Sequence, residues 1–236
     1  MVLEAYREQI RAYRERLAGP FLGVRPSVLT GIALALAVGA GGLAAGVRWT
    51  SPILFIPAAV LIFASGIFDV LDGEVARRTG TASPRGDFLD HVVDRYADLG
   101  ILLGIAASGF VDPLLALLAL VSLLLTSYMG TQAQAVGAGR LYGGLLTRAD
   151  RLVLLAFVAL VEGDLSLPWP WAPTAPFSRL AFAGVSFTVL DVLMVYFVLA
   201  GQITALDRAR RVYAGLDGRS SAPSLETSGG APPRQR

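Results

Sequence analysis

The chain has 236 residues, 54% of them hydrophobic, with a mean hydropathy of +0.60 and a net charge of +2. That is more apolar surface than one soluble domain can bury, and too little positive charge to mark a nucleic-acid binder. Cysteine is absent, His91 is the lone histidine and all twenty basic residues are arginine, which excludes disulfides, thiolate or poly-histidine zinc sites, and Schiff-base lysine chemistry.

Met1 is followed by a charged stretch with no apolar core or small-residue cleavage site, so no signal peptide is expected. Leu3, Tyr6, Ile10, Tyr13 and Leu17 recur at helical spacing among Arg and Glu, which predicts an amphipathic interfacial helix within residues 1–20, acting as a lid or an anchor. A spanning helix needs about 20 mostly apolar residues. Six stretches qualify, at 28–47, 53–75, 86–108, 113–136, 145–162 and 178–205, the fifth having the shortest apolar run. The expected architecture is therefore all-α and polytopic, with a membrane domain at 21–213.

Arginine is concentrated before the first span, between the second and third, between the fourth and fifth, and after the sixth. The positive-inside rule puts those segments and both termini in the cytoplasm, with the protein in the cell membrane. Leu165 to Phe177, rich in Pro and Trp, is expected to be an outer loop. Residues 214–236 turn to Ser, Gly, Pro and Arg and are expected to form a disordered tail.

The chemistry is concentrated in Phe68 to Gly100. Asp69 and Asp72 stand three apart and Asp90 and Asp94 four apart, so each pair shares a helix face, with Asp87 and Asp98 continuing the second. A carboxylate at depth in a membrane costs about 2.5–3.5 kcal/mol on insertion scales, and clustered like charges repel further. Such a cluster calls for a counter-charge. Oxygen-only ligands favour Mg²⁺, Mn²⁺ or Ca²⁺, and two such ions would bridge pyrophosphate oxygens. Gly73 and Ala76 leave the helix face bare for a ligand, and Arg77 offers a fork for phosphate.

The pattern Asp69-x2-Asp72-Gly73-x2-Ala76-Arg77-x8-Gly86-x3-Asp90-x3-Asp94 resembles the signature of the CDP-alcohol phosphotransferases at every position. The resemblance extends over about residues 20–212. It implies six spans, a homodimer, two Mg²⁺ or Mn²⁺ ions per subunit, and attack of an alcohol on the β-phosphorus of a CDP-linked donor with release of CMP. On it, Asp69, Asp72, Asp90 and Asp94 are the expected metal ligands and Asp94 the expected base. Ser27, Val28, Leu29, Thr30, Asp69, Gly73, Ala76, Arg77, Ser83 and Gly86 are the expected donor contacts.

Ser127 to Arg151 resembles the phosphatidylinositol phosphate and archaetidylinositol phosphate synthase branch, as does Pro168-Trp169-Pro170. That implies a CDP-lipid donor and inositol 1-phosphate as acceptor, with Arg148, Arg151 and Gln132 as candidate acceptor contacts. Gly130, Gln132 and Gln134 stand where the branch commonly carries Lys, Arg and Glu, which keeps glycerol 3-phosphate, a free polyol or a soluble CDP-polyol donor open. Arg148 and Arg151 also read as a snorkelling helix start, His91 as a hydrogen-bonding neighbour, and Asp191 as an interfacial or cavity-lining acid. An ion-coupled transporter would need acids near mid-bilayer between repeats. An apolar groove beside the motif would favour a lipid donor.

Overall fold

The computed structural model describes residues 13–139, 147–167, 180–182 and 185–220. Among the described residues, six long helices form the frame: α1 (Pro26–Gly46), α2 (Phe55–Arg78), α3 (Pro84–Ala107), α4 (Pro113–Ala135), α5 (Arg148–Leu165) and α6 (Val189–Ser220). Most start on a clear local signal. Proline stands at the head of α1, α3 and α4, where its missing N–H costs no hydrogen bond. Ser83 Oγ accepts from Gly86 N at 3.2 Å and Asp112 Oδ1 from Leu115 N at 3.0 Å, capping α3 and α4. Thr147 and Asp150 form a reciprocal capping box on α5. At the far end of α2, Gly80 takes a positive φ of 66° and lets Thr81 N donate back to Ala76 O at 3.0 Å.

Helix α1 packs against both α2 and α3, α2 against α5, and α4 against α6. The α1–α3 crossing is very close. A Cβ added at Gly104 would lie 2.1 Å from Gly41 O, and one added at Gly41 would lie 2.0 Å from Gly100 O. In the α4–α6 contact a Cβ added at Gly201 would lie 2.9 Å from Ser122 Cβ. Ala37, Ala40, Ile62, Ile101, Leu120, Leu155 and Phe197 are among the buried residues of one continuous apolar core.

Among the described residues, four segments are long and apolar enough to cross a membrane: Pro26–Trp49, Pro52–Arg78, Pro113–Ala135 and Val189–Leu216. Helices α3 and α5 occupy the remaining predicted spans but carry the charged residues of the motif and of Arg148 to Arg151. The sixth predicted span differs at its start. Residues expected to be helical from 178 include instead a short antiparallel pair, β1 (Leu180–Phe182) with β2 (Val185–Phe187). The helix begins at Val189 because Thr188 and Asp191 cap it: Asp191 N donates to Thr188 Oγ1 at 3.0 Å and Thr188 N to Asp191 Oδ2 at 2.9 Å. Glu162 Oε2 of α5 accepts from Val189 N and Leu190 N, satisfying two more of the open amides. At its other end α6 runs to Ser220, past residue 214 where the sequence reads as tail.

Of the predicted interfacial helix, residues 13–18 are described and are helical. Residues 1–12, Pro168-Trp169-Pro170 with the rest of the predicted outer loop from 168, Gly143-Gly144, and the tail from 221 lie outside the described residues.

Candidate active site

The tight turn between α2 and α3 brings the two acid pairs of the motif face to face. One carboxylate oxygen each from Asp69, Asp90 and Asp94 lies within 4.8 Å of the others. Asp72, on α2 with Asp69, is turned toward α1, where its Oδ2 accepts a 2.6 Å hydrogen bond from Thr30 Oγ1. Three convergent carboxylates, with no sulfur and no imidazole among them, suit a hard divalent cation.

Arginines interleave with these acids. Arg148 Nη1 contacts Asp69 Oδ1 and lies 2.9 Å from Asp94 Oδ1. Arg151 is 4% exposed and donates from Nη2 to Asp98 Oδ2 at 2.9 Å. Arg95 Nη2 lies 3.5 Å from Asp94 Oδ2 and 3.8 Å from Asp98 Oδ2. A buried charge is tolerated only when it is paired, and here acids and guanidinium groups alternate through the protein behind the motif.

Among the described residues, three cavities have acids of this motif in their walls. The first, of about 240 Å³, is lined by Pro26, Ser27, Thr30, Asp72, Gly73, Ala76, Arg77, Ser83, Gly86 and Asp90, among others. It gathers Ser27, Thr30, Gly73, Ala76, Arg77, Ser83 and Gly86 of the predicted donor contacts around one space. Val28 and Leu29 are not in that lining: Val28 is exposed, and Leu29 is buried with Ala18, Leu71 and Val75. Their place on a helix that begins at Pro26 turns them away from Ser27 and Thr30. Gly73 faces the Arg77 guanidinium, 3.4 Å from where a Cβ would stand, and Arg77 also donates to Glu74 Oε2 at 2.8 Å.

A second cavity, of about 230 Å³, is nearly all apolar. Phe63, Gly66, Ile67, Val70 and Leu71 of α2, Leu152 and Val153 of α5, and Tyr13 and Leu17 of the helical stretch at 13–18 line it, with Asp69 and Arg14 also in its wall. Arg78 Nη1 donates to Glu15 O at 2.8 Å, fastening that stretch beside the groove.

The third and largest cavity, of about 700 Å³, lies between α3 on one side and α4 and α6 on the other. Asp90, His91, Asp94, Arg95, Tyr128, Thr131, Gln134 and Arg208 are in its wall. Arg208 is held there by donating from Nη1 to Thr126 O at 2.6 Å. None of the sequence-predicted acceptor contacts is in this lining. Arg148 sits on the metal-type acids, Arg151 is buried on Asp98, and Gln132 is exposed one residue away from Gln134, which does line it. Arg95 and Arg208 were missed as site residues. Arg95 adjoins Asp94 in the motif and was within reach of the sequence argument, whereas Arg208 is separated from it by more than a hundred residues and reads as a positive-inside charge.

The model of the CDP-alcohol phosphatidyltransferase family matches residues 24–165. Archaetidylinositol phosphate synthase of Methanothermobacter thermautotrophicus is 36% identical over 169 residues, covering 71% of this chain and 82% of that protein. A phosphatidylinositol phosphate synthase of Mycobacterium tuberculosis is 33% identical over 172 residues, covering 70% of this chain and 76% of that one. Among solved structures, Mycobacterium tuberculosis phosphatidylinositol phosphate synthase with CDP-DAG bound has a TM-score of 0.64 at 23% identity, covering 92% of this chain and 100% of that one. The same enzyme in complex with manganese and citrate has a TM-score of 0.64 at 24% identity, covering 92% and 96%. With the motif, the three-acid cluster and the helical frame in place, the chain belongs to the CDP-alcohol phosphatidyltransferase family and is a membrane transferase.

Proposed function

We propose that the protein transfers a phosphatidyl or archaetidyl group from a CDP-linked lipid to the hydroxyl of inositol 1-phosphate, releasing CMP. The observation that carries the lipid part is the apolar groove that has Asp69 in its wall. A soluble CDP-polyol would have no use for it, whereas an acyl or isoprenoid chain gains about 25 cal/mol for each Å² of apolar surface it buries there. The cytidine end would occupy the cavity between Ser27 and Gly86, with Arg77 on a phosphate oxygen. The donor pyrophosphate then falls between groove and cavity, over Asp69 and Asp72.

The acceptor half is supported by the large cavity lined by Asp90 and Asp94. Arg95 and Arg208 supply two fixed positive charges for the phosphate of a phosphorylated alcohol, and Tyr128, Thr131 and Gln134 offer hydrogen bonds to ring hydroxyls. Asp94 lines the large cavity and converges with Asp69 and Asp90, and Asp90 is in the wall of both that cavity and the one between Ser27 and Gly86. Asp94 would accept the proton of the attacking hydroxyl as the new bond to the lipid-side phosphorus forms and the bond to the CMP oxygen breaks. Asp69, Asp90 and Asp94 would hold Mg²⁺ or Mn²⁺, two ions per subunit, with Asp72 as a fourth ligand whose second oxygen Thr30 keeps in place. Such ions would supply charge neutralisation at the pyrophosphate and lower the pKa of a bound hydroxyl. We read all six long helices as spans of a homodimer in the cell membrane, with the site and both termini facing the cytoplasm, as the arginine distribution requires.

The test is CMP release by the purified protein with a CDP-lipid and Mg²⁺, offering inositol 1-phosphate, glycerol 3-phosphate, serine and free inositol in turn. Release with inositol 1-phosphate alone is expected. Release with glycerol 3-phosphate instead would move the acceptor assignment, and no metal-dependent release with any acceptor would overturn the reading.

A further inference from the structure

Arg148 stands where a metal ion's charge belongs. Its Nη1 engages Asp69 and Asp94, two of the three acids whose oxygens converge. A small divalent ion takes carboxylate oxygens at about 2.0–2.1 Å, so an ion and a guanidinium nitrogen drawn to the same two carboxylates crowd one another and repel. Arg148 Nη1, Arg148 Nε and Asp94 Oδ1 are buried without a well-aligned hydrogen bond, so the Arg148–Asp94 contact is an ion pair that lacks hydrogen-bond geometry.

A second seat lies beside the first. Arg148 Nε is already 3.8 Å from Asp98 Oδ1, while the other oxygen of Asp98 is taken by Arg151 at 2.9 Å. Asp98, one helical turn beyond Asp94, is 6% exposed and faces Arg95, Arg148 and Arg151 together. It has one oxygen to give, pointed at the group that has to move.

We propose that Arg148 is a tethered counter-cation. Metal loading drives its guanidinium off Asp69 and Asp94 and onto Asp98, so that Asp98 governs metal affinity from outside the coordination shell. Both are positioning residues. The proposal rests on the metal assignment made above and goes beyond it by naming what the ion must displace and where the displaced group goes.

The experiment is Mn²⁺ binding to the purified full chain without substrate, followed by the free-ion electron paramagnetic resonance signal. Arg148→Gln is expected to tighten binding about tenfold, and Asp98→Asn to weaken it about tenfold when Arg148 is present but less than about threefold in the Arg148→Gln background. Simple loss of an acid near the ion would give the same weakening in both backgrounds. Arg148→Met serves as a second uncharged variant should Gln not give folded protein. Equal losses from Asp98→Asn in the two backgrounds, or no tightening in either Arg148 variant, would overturn the displacement and leave the metal assignment standing. Failure of the wild-type chain to bind Mn²⁺ would overturn both.

Discussion

Asp72 takes a hydrogen bond from a hydroxyl on a neighbouring helix. Thr30 Oγ1 donates to it across the α1–α2 contact in a buried setting, and a hydrogen bond to a charged group contributes about 1.5–3 kcal/mol. Thr30→Val should therefore weaken donor binding or turnover by about ten- to a hundredfold, and Thr30→Ser should restore most of it, as measured by CMP release against CDP-lipid concentration. Asp94→Asn removes the expected base and should lower kcat by about 10²–10⁴, measured in the same assay at saturating metal. Arg208→Ala should raise KM for a phosphorylated acceptor while leaving KM for the CDP-lipid within about threefold, since Arg208 lines the large cavity and neither of the others. An equal rise in both constants would count against the two-sided site. The acids of this site were legible because spacings of three and four residues put them on shared helix faces. Arg208 was not, since no local spacing ties a residue on α6 to a motif on α2 and α3.

At the scale of helices, the α1–α3 crossing depends on the absence of side chains. Gly104→Val would drive a branched side chain into the backbone of Gly41, and overpacking of this kind costs about 1–3 kcal/mol or more. The expected result is a fall of several degrees in Tm and loss of monodisperse protein on size exclusion, whereas Gly31→Ala, with nothing within 4 Å of the added Cβ, should change neither. Helix existence was readable from apolar run length, and the starts of α1, α3 and α4 from Pro with Ser or Asp beside it. The start of α6 was misread because the run Leu180 to Phe187 is apolar enough to pass for helix. The Thr188-x2-Asp191 cap is the signal that places it correctly; the sequence reads Asp191 as an interfacial or cavity-lining acid, and besides capping α6 it accepts from Asp112 N at the head of α4.

For the whole molecule, orientation is the property that the sequence argues most directly and that packing does not address. The chain has no cysteine, so single substitutions report cleanly. Thr50→Cys, in the α1–α2 connection, should react with a membrane-impermeant maleimide in intact cells. Arg210→Cys should react only after permeabilisation. The opposite pattern would invert the topology and place the site outside. Chelation of divalent metal should abolish CMP release, and added Mg²⁺ or Mn²⁺ should restore it.

Helix α6 bonds to α4 along its length through Gly201, Gln202 and Arg208 and is fastened further at its first turn. Glu162, Thr188, Asp191 and the amide of Asp112 tie its first turn to α5 and to the head of α4, while Arg208 lies about 28 Å further along at 1.5 Å per residue. Because α4 and α6 are packed together and the large cavity separates them from α3, the pair has the mechanics of one arm of a pair of tongs, joined at the end remote from the arginine. A splay of about 3° at that joint carries Arg208 roughly 1.5 Å, by the same rise per residue. On the proposed acceptor reading, loosening the carboxylate and threonine bonds at the far end of the helices should widen the jaw between Arg95 and Arg208 and admit a bulkier alcohol.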